Sequence, residues 1–306
     1  MDTFETDLAQ EPERLIDERF PDPRGGTYWP HLVYARPDGA RPLMLDLRVP
    51  EGAAARPLVV YIHGGGWRIG TPKYDNPTLR RIDAPGRLHA AGFAVARISY
   101  RLSGEATWPV PLHDCKAAIR WLRARADTFG VDPRRVAVMG ESAGGHLAAM
   151  VALTGDDPEM EGAVGETGGS TRVAAAVNWY GVTDLWSIGE RREPPPDGAP
   201  RMEEALIGGP RAANRTALEA ASPVRTVGAA APPFLHQHGD ADRIVPHSQA
   251  EALHAALKEA GHDTILDLVP GADHCFWGAA PADRDGGIMD RAIAFLGAHL
   301  GHAAPG

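Results

Sequence analysis

Val136-Ala137-Val138-Met139-Gly140-Glu141-Ser142-Ala143-Gly144-Gly145-His146 is the stretch from which the rest of the chain can be read. Residues 136–139 form a short apolar run suited to a buried strand, and the small residues that follow Ser142, as far as Leu153, suit a closely packed helix. Between them stands G-x-S-x-G. Glycines on both sides of Ser142 let strand and helix approach without side-chain clash. The serine therefore sits on a tight, strained turn with its hydroxyl pushed out where a base can reach it. The N-terminus of the following helix adds positive partial charge where an oxyanion would develop. Without the strand before it and the helix after it, the same five residues would describe a plain surface turn.

Moving toward the N-terminus, residues 57–63 are a near-continuous apolar run, as expected of a strand covered on both faces, and the run stops at Gly64-Gly65-Gly66-Trp67. Glycines let the backbone come close enough to donate N–H groups to a tetrahedral oxygen. Gly64 and Gly65 are the candidate donors, with Ala143 as the third. No Lys-Ser or Lys-Thr follows and no G-x-G-x-x-G opens a helix, which disfavours a nucleotide phosphate. His63 is expected to be structural.

The remaining elements alternate. Residues 93–100, 174–179, 233–238 and 264–269 read as strands, and residues 113–129, 248–260 and 289–300 as helices. Residues 32–36 and 43–49 read as a leading antiparallel hairpin. Strand followed by helix, repeatedly, implies an α/β architecture with a mostly parallel sheet. Two irregular stretches interrupt it, residues 155–170, rich in Gly, Asp and Glu, and residues 186–222, which carry Pro194-Pro195-Pro196. Both are expected as excursions over the sheet top, the second as part of a lid.

The chain has 13 histidines, so the base must be chosen by position. His274 follows the last strand through a Pro270-Gly271-Ala272 turn, at the carboxyl end of the sheet where Ser142 also belongs. His236, His238 and His247 are its rivals. His236 and His238 resemble half a metal site, but no third ligand is evident, so no metal is expected. The loop after residues 233–238 offers Asp240 and Asp242 as the acid that orients the imidazole. Residue chemistry alone leaves both open.

Composition bounds the function. With 306 residues, 43% hydrophobic and 23% charged, the chain suits one catalytic domain around one sheet. The formal charge of -9 and the lack of a basic, aromatic-interleaved stretch disfavour nucleic acid. Cys115 and Cys275 are too few and too far apart for a disulfide framework. Residues 1–24 hold no apolar run long enough for a signal-peptide core or membrane span, so no membrane partner and a cytoplasmic location are expected.

Taken together, His63-Gly-Gly-Gly-Trp67, Ser99-Tyr-Arg-Leu102, Gly140-Glu-Ser-Ala-Gly-Gly-His146, Tyr180-Gly-Val-Thr-Asp-Leu185, Ala221-Ser-Pro-Val224, His238 to Pro246 and Gly271 to Phe276 give a clear resemblance. From about His31 onward the chain resembles bacterial esterase/lipase α/β hydrolases, near the hormone-sensitive-lipase-like group and the feruloyl or acetyl esterases. The resemblance implies an α/β-hydrolase fold with helices on both faces of the sheet and a small cap. It implies a cofactor-free serine carboxylesterase with Ser142 as nucleophile, His274 as base and Asp242, three residues before the Val-Pro pair, as acid. Small to medium acyl or aromatic esters are the implied substrates, and dimerisation is a family-level expectation. Aryl formamide hydrolysis and biosynthetic acyl transfer or cyclisation on the same scaffold are the alternatives.

Two positions depart from the pattern. Cys275 stands where such proteins often carry glycine, and Gly104-Glu105 replaces a common Pro-Glu. Residues 1–30 match poorly and read either as a cap contributing Phe4, Leu15, Ile16, Phe20 and Trp29 to the substrate pocket, or as a peripheral arm. Trp67, Trp108, Trp186, Phe276 and Trp277 are candidate pocket walls, and Glu141 and Asp184 candidate hydrogen-bonding braces.

Overall fold

The computed structural model describes residues 18–52, 54–191, 195 and 198–301. Its strands are β1 (Phe20–Pro21), β2 (Thr27–Ala35), β3 (Leu43–Val49), β4 (Arg56–Ile62), β5 (Ala94–Ile98), β6 (Val131–Glu141), β7 (Ala175–Trp179), β8 (Phe234–Gly239) and β9 (Thr264–Val269). Its helices are α1 (Pro77–Ile82), α2 (Ala84–Ala90), α3 (Val110–Ala124), α4 (Ala126–Phe129), α5 (Ala143–Leu153), α6 (Leu185–Arg191), α7 (Met202–Ile207), α8 (Arg215–Ala220), α9 (Pro223–Thr226), α10 (Ser248–Glu259) and α11 (Ile288–Leu300). The strands form one nine-stranded sheet in the order β1-β2-β3-β5-β4-β6-β7-β8-β9. From β5 to β9 every neighbouring pair is parallel, and β1, β2 and β3 add an antiparallel edge.

Alternation along the strands sorts the core into two layers. Leu58, Val60 and Ile62 of β4 join Val136 and Val138 of β6 on the face covered by α3, α5 and α10. Val59, Tyr61, Ala137 and Met139 point the other way, onto α1, α2 and α11. Both faces are thus dry, which is why β4 and β6 read as continuous apolar runs. Among the described residues, no helix is long and apolar enough to cross a membrane.

Register is what builds the site. Ile62 of β4 lies beside Gly140 of β6, so the glycine run after β4 and the serine turn after β6 emerge side by side. Gly239 of β8 lies beside Val269 of β9, so the Asp242 and His274 loops also leave together. All four leave from the carboxyl ends of the strands, where α/β sheets bind ligands.

The structure differs from the sequence expectations in places. Strand β2 begins at Thr27, so a boundary after residue 30 would cut through a sheet strand. Trp29 is core, with its ring edge-on to Phe129 at 5.3 Å, and Phe20 is exposed on the edge strand. Phe4, Leu15 and Ile16 lie outside the described residues. The helix expected over residues 113–129 is two, broken at Arg125. Helices α1 and α2 had no clear periodic signal, being only six and seven residues long and separated by Asp83 in the left-handed region, at φ 49°.

Candidate active site

Ser142 carries the strain its motif implies, with φ 54° and ψ −118°, a conformation a non-glycine residue adopts only when its surroundings enforce it. The enforcement is steric. A Cβ on Gly140 would lie 2.1 Å from the Gly144 carbonyl oxygen, and one on Gly144 would lie 2.1 Å from that of Ile62. Only glycine lets β6 turn this sharply into α5 while β4 passes alongside. The Ser142 N–H donates to the Trp179 carbonyl at 2.9 Å, tying the turn to β7.

His274 reaches Ser142 from the opposite side, with Nε2 3.1 Å from Oγ. Its Nδ1 lies 2.7 Å from Asp242 Oδ2. With Nδ1–H donated to the carboxylate, Nε2 is left to accept the serine proton. Asp242 is itself well held, because Oδ1 accepts the N–H groups of Ile244 and Val245, both at 2.8 Å. His238 Nε2 stands 3.3 Å from Oδ2 and 2.7 Å from the Val245 carbonyl. Burial alone would raise the pKa of Asp242, but the hydrogen bonds from His238, His274 and the Val245 N–H outweigh it and hold the carboxyl well below the usual range. Asp240 faces elsewhere and accepts the Gly271 N–H at 2.7 Å, shaping the turn before His274.

The rival histidines and His63 have neighbours of their own. His236 is buried, stacks on Phe234 with ring centroids 5.5 Å apart, and is pushed by burial down to about 3. His247 lies near Glu251 at 3.8 Å. His63 stacks on Tyr100 at 4.5 Å and is lowered by burial to about 4. Among the described residues, no group of three or more His, Cys, Asp or Glu could hold a metal ion.

One expected oxyanion donor is corrected. The Gly64 N–H is committed to Glu141 Oε1 at 2.6 Å, so it cannot also face a substrate oxygen. The N–H groups of Gly65, Gly66 and Ala143 have no hydrogen-bond acceptor among the described residues, and all three residues line the same cavity as Ser142. The spacing of a glycine run does not say which N–H will be left open, so Gly66 was not singled out from the sequence. The run is anchored at its far end by Trp67, whose indole N–H donates to His146 Nδ1 at 3.1 Å, while His146 Nε2 meets the Ala221 carbonyl at 2.8 Å. Three separate motifs are joined by this one neutral imidazole, which burial lowers to about 4.

The cavity holds about 500 Å³. Of the five aromatic residues expected to line it, only Trp67 does, and it is otherwise buried. Trp108 packs on His146 in the core, at 5.5 Å. Trp186 lies under Arg211 and Arg215, 4.1 and 4.7 Å from its ring. Phe276 is buried against Trp179 and Tyr180, and Trp277 is 64% exposed outside the cavity. The apolar wall comes instead from Ile69, Tyr74, Leu79, Val182, Met202 and Ile244. Their sequence neighbourhoods carry no periodic or compositional mark. Asp75 and Glu141 also line the cavity, but among the described residues no lysine or arginine does. Of the candidate braces, Glu141 bonds within the site, whereas Asp184 caps α6 by accepting the N–H groups of Trp186 and Ser187 at 3.1 and 3.0 Å.

The BD-FAE family model matches residues 45–257, well over half of the chain. The chain belongs to the BD-FAE family. Esterase LipQ of Mycobacterium tuberculosis is 34% identical over 267 residues, covering 86% of this chain and 61% of that protein. The probable carboxylic ester hydrolase LipM of the same organism is 34% identical over 248 residues, covering 80% and 53%. The chain therefore spans between about half and three fifths of the length of these curated relatives.

Among solved structures, a truncated form of a carbohydrate esterase from gut microbiota superposes with a TM-score of 0.78 at 29% identity, covering 92% of this chain and 99% of that one. Thermogutta terrifontis esterase 2, phosphorylated by paraoxon, superposes at 0.69 with 27% identity, covering 90% and 95%. The sheet order and these neighbours make this BD-FAE chain an α/β-hydrolase fold.

Proposed function

We propose that this chain is a carboxylic ester hydrolase acting through Ser142, His274 and Asp242. The observation that carries the proposal is the unbroken path from Asp242 Oδ2 to His274 at 2.7 Å and from His274 to Ser142 Oγ at 3.1 Å, opening into an apolar cavity beside unpaired backbone donors. As Oγ attacks the ester carbonyl carbon, His274 Nε2 takes its proton and the Asp242 carboxylate stabilises the imidazolium. The carbonyl oxygen becomes an oxyanion, received by the N–H groups of Gly65, Gly66 and Ala143. Collapse breaks the ester C–O bond, His274 protonates the departing alkoxide, and the acyl group is left on Oγ. Water, deprotonated by His274, then releases the acid and restores Ser142.

Cavity size and lining favour neutral esters with a small to medium apolar acyl group. A charged acidic acyl group would find no lysine or arginine to pair with among the described lining residues. The relatives' names, Esterase LipQ and probable carboxylic ester hydrolase LipM, support ester rather than amide cleavage.

The decisive experiment is turnover of p-nitrophenyl esters from acetate to octanoate by wild type and Ser142→Ala. Loss of the nucleophile is expected to lower kcat by about 10⁴-fold or more, with an unchanged circular dichroism spectrum. Paraoxon, which phosphorylates the Thermogutta esterase, is expected to add its phosphoryl group to Ser142, as read by mass spectrometry of tryptic peptides. Undiminished ester turnover by a folded Ser142→Ala protein would refute the assignment.

A further inference from the structure

Ester hydrolysis at Ser142, on which this inference rests, requires the N–H groups of Gly65 and Gly66 to stay aimed at one point. Glycine backbone is the least able to hold itself there. Gly65 sits at φ 107° and Gly66 at φ 60°, so the direction of both peptides depends on what grips the run from outside. At its far end the grip is Trp67 on His146. At its near end, β4 and β6 finish side by side with Ile62 next to Gly140, so the residue before Ser142 emerges close to the start of the glycine run. That residue is Glu141. Its side chain is turned sideways into the run, where Oε1 accepts the Gly64 N–H at 2.6 Å and a Cβ on Gly64 would fall 2.5 Å from Oε2.

We propose that Glu141 is a positioning residue: its carboxyl group clamps the first peptide of the glycine run and thereby sets the direction of the Gly65 and Gly66 N–H groups. The same contact couples the serine turn to the oxyanion loop, since Glu141 and Ser142 are adjacent on one rigid strand end. It also accounts for the glycine at position 64, whose N–H is spent on the clamp and whose missing side chain makes room for the carboxyl group.

The protonation state of the clamp matters because it borders the site where negative charge develops. Burial pushes Glu141 up to about 8, against the opposing hydrogen bond from Gly64. Asp75 and Arg97 face it as a mutual ion pair at 2.7 Å. Tyr61, Tyr100 and Tyr180, raised by burial well above the ordinary phenol value, and Cys275, raised by burial to about 12, stay neutral around it. His63, lowered by burial to about 4, is also uncharged near neutrality. His274 and Ser142 share the cavity as the reacting groups. Below about pH 8 the clamp is a neutral acid that leaves the oxyanion field undisturbed. Above it, a carboxylate in a poorly solvated site opposes the oxyanion, and kcat falls.

The test is kcat and KM for p-nitrophenyl acetate across about pH 5.5 to 10, for wild type, Glu141→Gln and Glu141→Ala, with circular dichroism and melting curves alongside. Glutamine keeps a carbonyl acceptor and cannot ionise. It is expected to hold kcat within about threefold of wild type near pH 7 and to lack the wild-type fall above pH 8. Alanine is expected to lower kcat by about 10²-fold with KM changed less than about threefold, because the misaimed N–H groups act mainly in the transition state. Wild-type kcat in Glu141→Ala overturns the clamp, and so does an alkaline fall that persists unchanged in Glu141→Gln. Should the alanine variant fail to fold, the glutamine profile decides alone. Wild-type turnover that survives Ser142→Ala would instead remove the hydrolase proposal and the clamp with it.

Discussion

Residues 155–170 are fastened to the body of the domain by buried cations, whereas the described part of residues 185–226 is a set of short helices that carries a side chain to the cavity. The fastening comes from α3. Lys116 reaches the Thr154 carbonyl and, at 2.8 Å, Glu161; Arg120 reaches Glu161 at 2.7 Å and the carbonyls of Val164 and Glu166. Arg123 adds the carbonyls of Pro133, Ser170 and Arg172. None of residues 155–170 lines the cavity. In the second excursion Arg211 stacks on Trp186 and donates to its carbonyl at 2.9 Å, and Met202 of α7 rests on Gly66, where an added Cβ would lie 2.4 Å from its sulfur. Two stretches with similar sequence character differ in role because one meets a row of cations and the other meets the open mouth of the sheet.

Arg120 holds residues 155–170 through a carboxylate and backbone carbonyls together. Its side chain is almost wholly buried against Glu161, so Arg120→Ala empties a large buried site, removes a donor from the carbonyls of Glu161, Val164 and Glu166, and takes one of the two cations from the Glu161 carboxylate. A loss of about 3–5 kcal/mol is expected in urea unfolding, while kcat/KM for a short ester stays within about twofold. An equally large kinetic effect would mean that residues 155–170 shape the cavity after all.

Met202→Ala probes the other excursion. Removing the thioether that rests on Gly66 is expected to raise kcat/KM for octanoate relative to acetate by about tenfold, in line with the worth of one or two methylenes in an apolar pocket. An unchanged ratio would take α7 out of substrate selection. The smallest effect is expected from Trp186→Ala. The ring supports Arg211 and Arg215 rather than facing the cavity, so stability should drop by about 1 kcal/mol and the acetate to octanoate ratio should stay within about twofold. A change in the ratio matching that of Met202→Ala would return Trp186 to the pocket wall.

Much of this architecture was legible because its signals are local. The apolar runs ending in Gly64 and Gly140 mark strands buried on both faces, and the residues after each run mark the carboxyl end of the sheet. Ser142, His274 and Asp242 could be named from their places after strands, although choosing Asp242 over Asp240 needed the family pattern. The structure gives the two aspartates different partners, His274 for one and the Gly271 N–H for the other. The aromatic residues were misread for a physical reason. A large apolar ring gains as much by burial in the core as in a pocket wall, so Trp108 and Phe276 carry no mark of which they do.

By itself the sequence determined where the chain must turn and which turns bring Ser142, His274 and Asp242 to one sheet edge, because glycine sterics and strand periodicity act over a few residues. Only the tertiary structure decided which backbone donors are free and which apolar side chains meet the cavity. The Gly64 N–H is spent on a carboxyl group 77 positions away in the chain, a contact that depends on how β4 and β6 finish side by side and on no local pattern at either end.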